Sequence, residues 1–140
     1  MALKLVLARD GEVLLEIPLS ARHWPRERLG EELEGIEEDL NRLSRLLDAL
    51  SSTVRLRMMK KLFENDELML SFSDFMRGLG LNPKIVSEGA KRLQEEGLLE
   101  RSEDGRYRCS ELGQAGFFMA GIALRHLLRA LRASEGYWDE

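Results

Sequence analysis

Cysteine is nearly absent. Cys109 is the only one in 140 residues, which excludes an internal disulfide. With just His23 and His126 beside it there is no ligand cluster resembling a structural zinc site, so neither a metal nor another cofactor is expected. Long apolar runs are also missing. The longest, Phe117 to Leu124, is far short of the roughly 20 residues that a membrane-spanning helix needs. The first residues show no charged, apolar, small-residue order of a signal peptide, so the expectation is a cytoplasmic protein without a membrane partner. No nucleophile–base pair, metal cluster or phosphate-binding glycine loop is present, which argues against an enzyme. The 44% hydrophobic content is ample for a packed core and argues against disorder.

Net charge is −4, but it is unevenly spread. Residues 1–50 carry seven Lys/Arg against eleven Asp/Glu, residues 51–110 eleven against ten, and the remainder three against four. The acid is concentrated at the N-terminal end. The middle segment is only slightly basic, a weak electrostatic footprint for a nucleic-acid binder, whose affinity comes largely from clustered cations.

Leu3, Leu5 and Leu7 recur at every second position, as do Val13, Leu15 and Ile17, around Asp10-Gly11; this pattern predicts a two-stranded hairpin at residues 1–24. Such a hairpin is marginal alone and needs something against its apolar face. Residues 25–50 read as one long helix opened by Pro25, with Leu29, Leu33, Ile36, Leu40, Leu43, Leu47 and Leu50 spaced four and three apart. Either this is an amphipathic helix packed on its own domain, or it is a seam that pairs with its twin; the narrowness of the stripe favours pairing. Gly35 weakens this helix by roughly 1 kcal/mol relative to Ala, which makes it dependent on packing.

Ser51 or Ser52 caps a further helix that closes near Asn65-Asp66, and Leu68 to Leu70 can form a brief strand. Ser71 or Ser73 caps a short helix bearing Phe75, Met76 and Leu79, and Gly80 supplies a turn. Asn82 then caps a helix with Pro83 at its first position, ended by Gly97. Leu98 to Ser102 and Arg106 to Ser110 read as strands around Glu103-Asp104-Gly105. A last helix runs from about Glu111 to Ala133, ahead of a frayed tail at Gly136 to Glu140 whose Tyr137 and Trp138 read as surface or interface aromatics. The fold class is therefore mainly α (α+β). The order of elements over 51–112 is that of a winged helix-turn-helix, preceded by the hairpin and the heptad-patterned helix and followed by a C-terminal helix and tail over 113–140.

Residues 47–113 resemble the ArsR-type (arsenic-repressor-like) winged-helix transcriptional regulators. The resemblance covers about half the chain and rests on three pieces together: Leu50-Ser51-Ser52-Thr53-Val54-Arg55-Leu56, Leu79-Gly80-Leu81-Asn82, and Leu93-Gln94-Glu95-Glu96-Gly97-Leu98-Leu99. It implies a regulator that binds double-stranded DNA, with residues 82–96 as a recognition helix set into a major groove about 12 Å wide and residues 98–110 as a wing. Val86, Ala90 and Leu93 would pack inward, leaving Asn82, Lys84, Ser87, Glu88, Lys91 and Arg92 outward. By analogy with the family, Lys84, Ser87 and Glu88 would read base edges and Lys91 and Arg92 would touch phosphates. Arg101, Arg106 and Arg108 of the wing are suited to phosphate or minor-groove contact. Glu88 and Gly89 depart from the family pattern, which more often has basic or polar side chains there. Metal sensors of the family carry a cysteine pair ahead of the turn; the aligned positions here are Ser71 and Ser73, so metal sensing of that kind is not expected. Cys109 reads as a packed side chain, and His23 and His126 as ordinary surface or interface histidines.

A regulator of this type is expected to be a homodimer that spaces two recognition helices one turn of duplex apart. The expected interface comprises Leu33, Ile36, Leu40, Leu43 and Leu47 on the long helix and Phe117, Phe118, Ile122 and Leu128 on the last, with close approach at Gly113, Gly116 and Gly121. The rival reading is a winged helix used only for protein contacts within a larger assembly, which the acidic long helix and Glu88 would suit.

Overall fold

Asp10 and Gly11 both adopt positive φ, 50° and 83°, the pair of conformations that a tight two-residue hairpin turn requires. In this computed structural model, which describes residues 3–133, they join β1 (Lys4–Arg9) to the antiparallel strand β2 (Glu12–Pro18). Leu5 lies opposite Ile17 and Leu7 opposite Leu15, but the register shifts between Leu7 and Ala8, so that Ala8 faces Val13. Opposed residues share a face, and this bulge corrects the simple alternation: Val13 stands with Val6 and Ala8, not with Leu15 and Ile17. Both faces are thereby apolar and both are exposed, Leu7 by 58% and Val13 by 53%. At the exit, Trp24 Nε1 donates to the Pro18 carbonyl at 2.8 Å and the Arg28 guanidinium lies over the Trp24 ring.

Residues 25–50 form two helices instead of one. α1 (Arg26–Glu34) ends at Gly35, whose φ of −95° and ψ of 0° leave the helical basin, and α2 (Ile36–Leu50) resumes directly after it. The expected loss of helix propensity at Gly35 is thus realised as a break. Contacts group the chain into two units, residues 1–43 and 44–140, with the boundary inside α2. Within the first unit no described residue is buried.

The second unit holds the core. α3 (Thr53–Glu64) starts at Ser52, whose side chain accepts from Arg55 N, and turns Met58, Met59 and Leu62 inward. α4 (Phe72–Leu79) contributes Phe75, and α5 (Pro83–Glu95) contributes Val86, Ala90 and Leu93. A small antiparallel sheet closes the other side in the order β3 (Met69–Leu70), β5 (Tyr107–Cys109), β4 (Leu99–Arg101), with the Phe75 and Tyr107 rings 5.8 Å apart. Cys109 is buried there, and burial, helped by Glu100, pushes its thiol up to about 11, which fits a packed and unreactive side chain.

Leu68, just ahead of β3, has a φ of 58°, a conformation that costs a side chain with Cβ roughly 1–2 kcal/mol. It is also 39% exposed, so little packing offsets that strain. Leu68→Asn is expected to raise the melting temperature, because Asn tolerates this region. A thermal denaturation showing the variant less stable than the parent would refute the assignment.

The C-terminal helix is not uniform either. α6 (Glu111–Phe118) runs into a π-helical segment (Met119–Ala123) before α7 (Leu124–Ala133). Tyr137, Trp138 and the tail expected at 136–140 lie outside the described residues.

Candidate nucleic-acid interface

Local chemistry fixes the angle between α4 and α5. Ser71 accepts from Asp74 N and Asp74 accepts from Ser71 N, both at 3.0 Å, a complete capping box at the start of α4. The position aligned with a metal-sensor cysteine is thus spent on a cap. Those hydrogen bonds, then Arg77, hold the Asp74 carboxyl below its usual range. Its lowered value means that the stabilisation is present above the ordinary carboxylate range and fades as pH falls through the folded value. Asp74→Ala is therefore expected to melt below the parent at neutral pH, with the gap narrowing as pH falls below the ordinary carboxylate range; a pH-independent gap in calorimetry would contradict this role.

Gly80 ends α4 in the left-handed region (φ 63°, ψ 36°), where residues other than glycine are strained. Two residues later, Asn82 accepts from Ile85 N at 2.9 Å and Pro83 occupies the first turn of α5. Asn82, expected both to cap this helix and to stand on its outward face, is exposed, and its side-chain oxygen is the cap.

α5 divides as the sequence predicts. Val86, Ala90 and Leu93 are buried, and so is Gly89: a Cβ there would meet Met58 Sδ at 2.8 Å, so glycine lets α5 approach α3. This accounts for the departure from the family pattern at that position. Lys84, Ser87, Glu88 and Lys91 are exposed, and among the described residues none of the charged three is in an ion pair. Ile85, 37% exposed beside Lys84, was not anticipated, because a lone apolar residue on a polar face gives no periodic signal.

Arg92 does not stand free as expected. It reaches Asp48 at 2.8 Å and Glu96 at 2.9 Å, and the Asp48 hydrogen bond, then the neighbouring carboxylates, raise its pKa further. Arg55 donates to the carbonyls of Ala49 and Asp48. Together these two arginines clamp the C-terminal end of α2 to α3 and α5. Arg92 is distant from Asp48 in sequence, and nothing local signals the pairing.

The wing arginines are also engaged within the molecule. Arg101 lies 4.1 Å from the centre of the Tyr107 ring and donates to the Tyr107 hydroxyl and the Gly105 carbonyl. Arg106 pairs with Glu67 at 2.7 Å and Asp104 at 2.8 Å; Ser102 also donates to Asp104, whose carboxyl is held down at about 2. Arg108 pairs across the sheet with Glu100 at 2.9 Å. All three were expected to be available for phosphates. Opposite charges on the adjacent strand and across the loop engage Arg108 and Arg106, and the Tyr107 ring and the Gly105 carbonyl engage Arg101, although Arg101 and Arg108 stay exposed.

Of the residues expected at a dimer interface, Leu33 (51%), Ile36, Leu40 and Leu47 are exposed, as are Phe118, Ile122 and Leu128, while Leu43 is half-buried. Phe117 packs on its own core against Phe63, with ring centres 5.0 Å apart, and Phe118 touches the same ring at 4.9 Å. Gly113 belongs to its own domain too: a Cβ would meet the Leu98 carbonyl oxygen at 2.6 Å. Gly116 packs near Leu46, whereas Gly121 has nothing within 4 Å. His23 and His126 are exposed, as expected.

No protein-family model matches the chain, and no curated protein matches it in sequence. Solved structures do match in fold. The transcriptional repressor BigR from Xylella fastidiosa is similar over 65% of this chain and 94% of its own, with a TM-score of 0.53 and 24% identity. The homodimeric winged helix-turn-helix DNA-binding domain of a possible ArsR-family transcriptional regulator from Mycobacterium bovis is similar over 73% of this chain and 88% of its own, with a TM-score of 0.52 and 19% identity. The fold implied by the ArsR-type resemblance is the fold of this molecule, and the chain is a winged helix-turn-helix protein.

Proposed function

We propose that the protein is a homodimeric, cytoplasmic, sequence-specific DNA-binding transcriptional regulator and not an enzyme. One observation carries this reading: α5 is anchored by a fully buried face, while its opposite face presents Lys84, Ser87, Glu88 and Lys91 exposed, the charged three in no ion pair among the described residues. Helical side chains so placed can enter a major groove, where Lys donates to guanine, Ser pairs with several bases and Glu accepts from cytosine. Ile85 adds an apolar contact for a thymine methyl. The repressor and the homodimeric DNA-binding domain with the same fold support the same direction.

The paired wing arginines favour a second reading, a winged helix that contacts protein only, because they leave few free cations for phosphates. A titration of labelled duplex at rising salt decides between them. A regulator binds at low salt and loses affinity steeply as phosphate contacts are screened; absence of binding to any duplex at low salt would favour the protein-contact module.

A further inference from the structure

We propose that the acidic, apolar seam of α1–α2 takes as its partner the arginine-striped helix α7 of a second copy of this chain, so that each copy receives the other's α7. This rests on the homodimeric reading above and names the surfaces that meet.

The seam has an uncovered apolar edge in Leu33, Ile36 and Leu40, exposed by 51%, 43% and 54%. In heptad terms, Glu32 and Asp39 precede the Leu33 and Leu40 positions and Glu37 follows Ile36, so acid flanks the seam on both sides. None of these three carboxylates has a cation within ion-pair distance among the described residues. Pairing of the seam with its twin is therefore disfavoured. Side by side in parallel, Glu32 of one copy would face Glu37 of the other; in antiparallel pairing, Glu32 and Asp39 would face each other. The break at Gly35 also interrupts the continuous rod that such a coiled coil needs.

α7 has the complementary character. Arg125, Arg129 and Arg132 recur at four- and three-residue spacing on one face, exposed and, among the described residues, without an ion pair, and there is no acid in residues 119–133. Beside them Leu124 and Leu128 are 43% and 45% exposed. Together with Gly121 these residues line an open groove of arginine and leucine. Arg125 and Arg132 are seven residues apart on one helix, a span of roughly 10 Å, and Glu32 and Asp39 are likewise seven residues apart in the chain, on either side of the Gly35 break. The groove also shares Ala120 and Gly121 with an apolar cleft lined by Leu47, Leu50, Leu56 and Phe117. Leu47 and Leu50 are the last positions of the seam, so in unit 44–140 the seam's end and the arginine groove form one continuous surface. A reciprocal exchange uses the acidic seam and α7 of each copy once and closes as a two-fold dimer.

The test is sedimentation of the full chain, without DNA, at low salt. One variant carries Arg125→Glu, Arg129→Glu and Arg132→Glu; the other carries Glu32→Lys, Glu37→Lys and Asp39→Lys. All six sites are exposed, and circular dichroism checks that each variant folds. Each variant alone is expected to dimerise at least about tenfold more weakly than the parent, since both of its contacts become like-charged. An equal mixture should recover dimers, because both contacts in the mixed pair are again opposite in sign. Two results overturn the proposal. If the arginine variant alone dimerises as well as the parent, α7 pairs with its own twin, for which reversing all the signs changes nothing. If mixing restores no dimer, the two surfaces do not meet between copies. A parent that sediments as a monomer overturns the homodimer reading as well, whereas loss of duplex binding in the salt titration leaves this test untouched.

Discussion

Gly113→Ala is expected to cost about 3 kcal/mol and to lower the melting temperature by roughly 10 °C. An added Cβ would stand 2.6 Å from the Leu98 carbonyl oxygen, 2.9 Å from Ser110 Oγ and 3.0 Å from Cys109 Sγ. The nearest of these is backbone, and Leu98 and its neighbour Leu99 are both almost fully buried, so it cannot retreat without moving the root of the wing. Ser110 is constrained as well: its hydroxyl donates to the Gly97 carbonyl and accepts from Gly113 N, each at 2.8 Å, which sets where α6 starts. Gly121→Ala is the matched control. It too lies in a helical segment, but among the described residues nothing beyond its chain neighbours and its own helical backbone comes within 4 Å of the added methyl, so the usual helix preference for Ala over Gly should leave stability unchanged or slightly raised. Differential scanning calorimetry of the pair checks the argument, and equal melting temperatures would show that the wing root yields more easily than its burial implies.

What was legible in the sequence was local. The Asp10-Gly11 turn, the Asn82 cap, the Gly80 turn and the inward face of α5 each follow from a few neighbouring residues and are found where expected, and of the candidate pairs Ser51 or Ser52 and Ser71 or Ser73 it is Ser52 and Ser71 that cap. Periodicity was informative but coarse. It marked the seam from Leu29 to Leu50 and the apolar last helix, yet it missed the break at Gly35, the π-helical segment at Met119–Ala123 and the bulge that carries Val13 to the other face, since each inserts or removes only part of a turn or one residue. Least legible was the state of the charges. Arg92 meets Asp48 across 44 positions and Arg106 meets Glu67 across 39, so a reading that counts outward-facing arginines overstates the cations left for a partner. The same limit hid the cause of Gly89: only the packing of α5 on α3 reveals Met58 beneath it.

This redistribution of charge decides which substitutions should abolish duplex binding. Lys84 and Lys91 are the two basic side chains on the open face of α5, seven residues apart and therefore roughly 10 Å along one side of the helix. Lys84→Glu with Lys91→Glu changes four sites in a dimer and replaces attraction to phosphates and base edges with repulsion. Affinity for duplex at about 0.1 M salt should fall by at least about a hundredfold, and the salt dependence should become shallower as fewer counterions are released. Both side chains are exposed and, among the described residues, in no ion pair, so the fold and the oligomeric state should be unchanged, as sedimentation and circular dichroism can verify. Arg106→Glu should behave differently. It sets a third carboxylate between Glu67 and Asp104, so it should loosen the wing and lower the melting temperature before any effect on DNA is considered. If the double lysine variant binds duplex as tightly as the parent while Arg106→Glu abolishes binding at full stability, the reading surface lies on the wing, and α5 serves to hold the wing in place.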